Sequence, residues 1–166
     1  MSRALHYRRI EEQKRRFALY AIATVVFYMA TLLVGTIAYT WGGESLSIYL
    51  SLEAATRKGG LPLFFQSLLA LLSFIALVVS MALIFLAKSS TSMGEFSSSK
   101  KLIYAAAATT AVATAFAAAA LAPPAAGYIN EFYYIYLGML AASLALSSYA
   151  LTLLKGVTKF YTPRRK

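Results

Sequence analysis

The chain has 166 residues, 60% of them hydrophobic, and a formal net charge of +10. This length suits one domain. Because the basic residues flank apolar runs, the composition indicates an integral membrane protein and argues against a nucleic-acid partner. The absence of cysteine excludes disulfides, thiolate metal sites and a cysteine nucleophile. There is no aspartate, one asparagine and two glutamines, and this scarcity of thermolabile side chains favours a thermophilic, archaeal source.

Residues 1–16 carry six basic side chains and two glutamates. Glu11 and Glu12 each stand four residues before an arginine, a spacing that supports a helix. We expect this segment to continue the first membrane helix into the cytoplasm. Its basic residues would anchor it on anionic lipid headgroups; the alternative is a docking arm for a soluble partner.

The first predicted span, 17–40, has no charge across 24 residues. It is too long for a signal peptide, so we interpret it as a retained membrane helix. Tyr39 and Trp41 would mark its outer interface. In the outer loop, 41–60, the segment 44–56 contains an alternation of leucine or isoleucine with serine, tyrosine or glutamate over 46–53. A short interfacial helix is favoured there, and the alternative is a strand that would need a partner edge.

The second predicted span, 61–87, has Gln66, Ser73 and Ser80 at intervals of seven residues. Polar groups in lipid should face protein, so this stripe predicts hydrogen bonds between helices. The alternative is the lining of a polar path.

The inner loop, 88–101, is rich in serine with basic ends, and this composition predicts a flexible loop in solvent.

The third predicted span, 102–122, is unusual because twelve of the eighteen residues from Ala105 to Ala122 are alanine. Alanine gains little from lipid, but small side chains let helix backbones approach closely. We therefore expect a central helix against which the bulkier helices pack. Thr110 and Thr114 would extend the polar seam of span two. The predicted packing residues of this span are Ala106, Ala113, Ala117 and Ala120.

The fourth predicted span, 128–154, follows Pro123 and Pro124, which cannot continue a helix. The link is short, so spans three and four should be antiparallel neighbours. The small residues Gly138, Ala142 and Ala145 are expected to form the face that meets span three. The basic tail, 155–166, completes the chain.

Lysine and arginine counts predict the orientation. The N-terminal tail has six, the 88–101 loop three and the C-terminal tail five, whereas the two other loops have two and none. The positive-inside rule therefore predicts cytoplasmic termini. The expected fold class is an all-α membrane protein in which the span domain, 17–154, forms an up-down-up-down bundle of four antiparallel helices in the plasma membrane.

The predicted spans hold no buried Asp, Lys, Arg or His, residues on which proton relays and ion-coupled transporters usually depend. We therefore expect a non-catalytic accessory subunit of a larger membrane complex, such as a respiratory assembly. Alternatives are an oligomeric channel or facilitator with a weakly polar pore, and a self-assembling envelope or filament protein.

We expect this chain alone to bind no cofactor or metal. Its expected neighbours are membrane lipids and other membrane subunits, and a hetero-complex is favoured over a homo-oligomer. The expected outer contact surface comprises Trp41, Glu53, Tyr128, Glu131 and Tyr133. A lipid or a quinone is a candidate ligand of this surface.

Overall fold

The computed structural model describes residues 2–40, 60–121 and 130–161, with side chains described over 7–40, 60–121 and 130–155. All regular secondary structure in these ranges is helical. The four helices are α1 (Ser2–Thr40), α2 (Gly60–Ser92), α3 (Phe96–Ala119) and α4 (Glu131–Tyr161). Each is long and apolar enough to cross a membrane. Even α3, with 24 residues, rises about 36 Å, which exceeds a hydrocarbon core of about 30 Å.

Helix α1 joins the basic N-terminal segment and the first span in one uninterrupted helix of 39 residues. The Glu12 carboxylate forms an ion pair with the Arg16 guanidinium at 2.7 Å. This is one of the two glutamate–arginine pairs whose separation of four residues favours a helix. Both side chains are exposed, so this ion pair adds only about 0.3–0.5 kcal/mol. The helix is instead maintained by packing along its apolar part, where Phe17 and Tyr28 are fully buried.

The segment 88–101, expected to be a flexible loop, is helical except at 93–95. The Gly94 N–H bonds to the Thr91 carbonyl (3.1 Å) and the Glu95 N–H bonds to the Ser90 carbonyl (2.9 Å). This pair of bonds is the Schellman motif, which ends a helix with a left-handed residue, and Gly94 has φ of +86°. The serines therefore continue α2 as helix, and one glycine makes the reversal.

The helices pack as a ring in which each has two main neighbours: α1 contacts α2 and α4, and α3 contacts α2 and α4, with α2 and α3 packed most extensively. Buried positions alternate at spacings of three and four residues over 17–38, 70–91, 96–117 and 133–154, one stretch in each helix. This period of 3.5 is that of left-handed supercoiled helices with interlocking side chains. The repeat is complete in α4, where the buried positions are Tyr133, Tyr136, Leu140, Ser143, Ser147, Ala150 and Leu154.

Candidate functional site

The polar seam expected from span two lies inside the bundle. Gln66, Ser73 and Ser80 are all buried, and so is Thr110 on α3. Thr114 is half-buried, and its hydroxyl bonds back to the carbonyl four residues earlier. These side chains therefore face other helices, as polar groups in lipid should.

Tyrosines supply the partners of Ser73 and Thr110 in this seam, a role that the sequence pattern did not reveal. Tyr28 reaches across the bundle from α1 to α3, and Tyr136 reaches across from α4 to α2. The polar side chains consequently connect every pair of helices. The bonds are Tyr39–Ser67 (2.6 Å), Ser80–Thr109 (2.6 Å), Tyr133 to the Ala117 carbonyl (3.0 Å), Tyr28 to the Ser143 carbonyl (3.2 Å), Tyr28–Thr110 (2.9 Å) and Ser73–Tyr136 (2.9 Å).

An aromatic cluster lies beside this network toward the end of α1. The ring of Phe74 is 5.5 Å from that of Tyr39 and 5.3 Å from that of Tyr136, and both pairs meet edge to face. Gly35 on α1 contacts the same rings, and a Cβ there would lie 2.7 Å from Phe74 Cε1 and 2.7 Å from Tyr136 Cε2. Glycine at this position therefore makes room for two aromatic rings from two other helices.

The packing residues expected on the alanine helix are buried, with Ala106, Ala113, Ala117 and Ala120 each at 0% exposure. Their small size leaves room for bulky neighbours: the Tyr133 hydroxyl donates to the Ala117 carbonyl at 3.0 Å. A side chain reaches a helix carbonyl in this way only where the intervening side chains are small. Large residues on one helix thus complement small residues on another.

The small-residue face of span four was assigned to the wrong side of its helix. Gly138, Ala142 and Ala145 are exposed, and a Cβ added at Gly138 would meet nothing within 4 Å. Helix α4 instead turns Tyr133, Tyr136 and the other buried positions of its repeat inward. The reason is volume: α3 already contributes alanines at its contact positions, so α4 must contribute bulk to fill the interior.

The expected outer contact surface is only partly assembled. Trp41, Glu53 and Tyr128 lie outside the described residues, as does the segment 44–56 for which helix and strand were weighed. Glu131 is exposed in the first turn of α4. Tyr133, by contrast, is 1% exposed and belongs to the interior. Tyr39, expected at the outer interface, is also buried at 6%, because its hydroxyl finds Ser67 inside the bundle.

Asn130 organises the start of α4, a role that the sequence analysis did not assign to it. Its side-chain oxygen accepts from the Tyr133 N–H at 3.2 Å, the bond of a helix N-cap. Its amide nitrogen donates to the Ala38 carbonyl near the end of α1 at 3.1 Å. One side chain therefore caps α4 and attaches it to α1.

The bundle has two different exteriors. Exposed positions on α1 and α2 include large apolar residues such as Leu33, Ile75 and Phe85. Exposed positions over 105–119 in α3 and 138–148 in α4 are small except for Val112, and the large exposed residues Tyr104, Ile135 and Tyr149 flank these stretches. We call this second surface the small-residue exterior; it comprises Ala105, Ala108, Ala111, Ala115, Ala118, Ala119, Gly138, Ala141, Ala142, Ala145 and Ser148.

The small-residue exterior is poorly suited to lipid and well suited to protein. Presenting alanine where leucine could stand forgoes about 2 kcal/mol of transfer free energy per residue, at about 0.8 kcal/mol per CH₂. A smooth surface does allow another helix to approach closely. Comparison of the chain with protein-family models, with curated proteins and with solved structures finds no match.

Proposed function

We propose that this protein is a non-catalytic, multi-pass subunit of a larger membrane complex, and that the small-residue exterior is where it contacts a neighbouring membrane chain. The observation that carries the proposal is the asymmetry of the exterior: α1 and α2 present bulky apolar side chains, whereas the middle of α3 and α4 presents alanine, glycine and serine. Lipid favours the first composition and helix packing favours the second. A respiratory or other electron-transfer assembly is one such complex.

The interior supports a scaffold role. Its hydroxyl groups bond to one another or to helix carbonyls, and aromatic rings fill the space between them. Such a network maintains the mutual positions of four helices while the outside is free for contacts. A different chain is favoured as the neighbour because the exposed small residues of the described helices are concentrated on one side of the bundle, which suits one contact more than a closed ring of copies.

We also propose that the helices alternate in direction, with both termini in the cytoplasm of a cell whose plasma membrane holds the protein. The positive-inside count supports the orientation. Contacts between helix ends support the alternation: Asn130 at the start of α4 bonds to Ala38 near the end of α1, and Lys14 near the start of α1 lies over the ring of Phe96 at the start of α3.

The orientation is testable because the chain has no cysteine. Single cysteines would replace Ser98 or Glu131, both of which are exposed on the protein surface, and intact cells would be treated with a membrane-impermeant maleimide. We expect labelling at 131 in intact cells and at 98 only after lysis. Labelling of 98 in intact cells would overturn the proposed orientation.

The contact is testable with a photo-crosslinking amino acid placed at Ala115 or Ala142 in the native membrane. Matched controls carry it at Val26 and Val79, which are exposed on α1 and α2. We expect an adduct of one defined second chain from 115 and 142, identified by mass spectrometry, and none from 26 or 79. Equal adducts from all four positions, or none from any, would contradict the proposal. Adducts with a second copy of this chain would favour the channel or filament hypothesis instead.

A further inference from the structure

A cavity opens between α1 and α2 at the end of the bundle where α1 is charged. It has a volume of about 380 Å³. We call it the basic pocket, and three of its lining side chains are cations against one carboxylate. The lining residues are Glu11, Lys14, Arg15, Phe17, Ala18, Lys88, Thr91 and Ser92.

The cations of the basic pocket form no ion pair with a carboxylate of the described residues, although the Lys14 ammonium lies 5.7 Å from the centre of the Phe96 ring. Among the described residues, the carboxylate that forms an ion pair is that of Glu12, and its partner is Arg16, outside the pocket. The Lys88 ammonium lies 5.5 Å from the centre of the Phe85 ring, an attraction that orients the side chain. The Thr91 hydroxyl already contacts the Ala87 carbonyl at 2.8 Å, so positive charge is the main feature that the pocket offers.

An apolar groove continues from the basic pocket along the same two helices. It has a volume of about 100 Å³ and a wholly apolar accessible lining. Lys88 lines both cavities, and because the accessible lining of the groove is apolar, it is the aliphatic part of this side chain that lies in the groove. From Arg15 to Val26 the helix rises about 16 Å, enough depth for a headgroup and the upper part of a chain. The residues of the groove are Ala21, Ile22, Val25, Val26, Phe85 and Lys88.

We propose that this pair of cavities is a binding site for an anionic phospholipid. The phosphate lies in the basic pocket among Lys14, Arg15 and Lys88, and one acyl chain lies in the groove against Ala21 and Val25. A free phosphate would use the basic pocket alone, whereas the shared position of Lys88 selects a molecule that is anionic at one end and apolar at the other. The site requires that the chain lie in a membrane, but it does not depend on the proposed contact of α3 and α4.

The headgroup contribution is tested by native mass spectrometry of the whole protein in mild detergent, titrated with dioleoylphosphatidylglycerol or dioleoylphosphatidylcholine. The double variant Arg15→Gln, Lys88→Gln is compared with Lys100→Gln, Lys101→Gln, which removes the same charge from exposed positions on α3. Each cation is expected to contribute about fivefold to affinity for an anionic lipid. We expect about 25-fold weaker phosphatidylglycerol binding in the first variant and no matching loss in the second.

The chain contribution is tested by Val26→Trp, which would fill the groove, against Val112→Trp on α3, an exposed valine outside it. We expect the first to weaken phosphatidylglycerol binding and the second to leave it unchanged, with helix content by circular dichroism equal in both. Three results would overturn the proposal: equal losses in the two charge variants, equal affinity for the two lipids, or unchanged binding in Val26→Trp. Displacement of phosphatidylglycerol by millimolar inorganic phosphate would show a phosphate site and not a lipid site.

Discussion

Replacing Gly35 by alanine is the sharpest test of the interior packing. The new Cβ would lie 2.7 Å from a carbon of each of two rings, those of Phe74 and Tyr136. Neither ring is free to withdraw. The Tyr136 hydroxyl bonds to Ser73 at 2.9 Å, and Phe74 stands edge to face between the rings of Tyr39 and Tyr136.

The magnitude follows from two opposing terms. Overpacking of this kind costs about 1–3 kcal/mol, whereas exchanging glycine for alanine inside a helix stabilises by about 1 kcal/mol. Gly35→Ala should therefore range from neutral to about 2 kcal/mol destabilised. Gly138→Ala is the matched control, because it is the same exchange inside a helix and its Cβ would meet nothing within 4 Å. The propensity term cancels between them, so the two free energies of unfolding should differ by about 1–3 kcal/mol.

Both variants can be measured by titrating the protein in mixed micelles with sodium dodecyl sulfate and following helix content by circular dichroism. We expect Gly138→Ala to unfold at the same or a higher detergent fraction than the parent protein, and Gly35→Ala to unfold at a lower fraction than Gly138→Ala. If the two variants unfolded together, the close approach of α1 to the rings of α2 and α4 would be refuted.

Three further variants test other parts of the bundle in the same titration. Ala117→Leu should destabilise the protein by about 1–3 kcal/mol through overpacking, since Ala117 is fully buried beneath Tyr133. The control Ala118→Leu, on the exposed face, should be neutral, and equal effects would contradict the assigned faces of α3. The Tyr28 and Thr110 hydroxyls are 2.9 Å apart, and a double-mutant cycle of Tyr28→Phe and Thr110→Val measures their interaction. The coupling free energy should be about 0.6 kcal/mol and up to about 1.7 kcal/mol, as for other hydrogen bonds between membrane helices. A coupling free energy of zero would remove this bond from the network. Gly94→Ala should cost about 1 kcal/mol because φ is +86°, with Gly94→Asn less harmful, and an alanine variant as stable as the parent would show that the turn does not need a left-handed residue.

The two proposals use different halves of the exterior. The lipid site lies between α1 and α2, where bulky apolar side chains already suit a lipid environment. The proposed protein contact lies on α3 and α4, where exposed positions are small. A chain with this division would face a partner on one side and the bilayer on the other, and its basic pocket would bring an anionic headgroup to the lipid side.

The four helices of the described residues and their capacity to cross a membrane could be predicted from the sequence, because apolar length is a local property. The burial of Ser73, Ser80 and Thr110 was also predictable, since hydroxyl groups in lipid require protein partners. The turn between α2 and α3 could not be assigned in the same way. Serine is common in loops, yet 88–92 remain helical and Gly94 alone reverses the chain.

The inward faces of the helices were decided by the tertiary structure. In a soluble protein the apolar face of a helix identifies its inner side, but lipid is as apolar as the protein interior, so this signal is lost in a membrane. Gly138, Ala142 and Ala145 resembled a packing face and are exposed, whereas Tyr133 resembled an interfacial residue and is buried. What settles such positions is whether volumes fit and hydroxyl groups find partners across several helices. Those conditions depend on residues that are distant in the chain, so they cannot be deduced from the sequence of a single span.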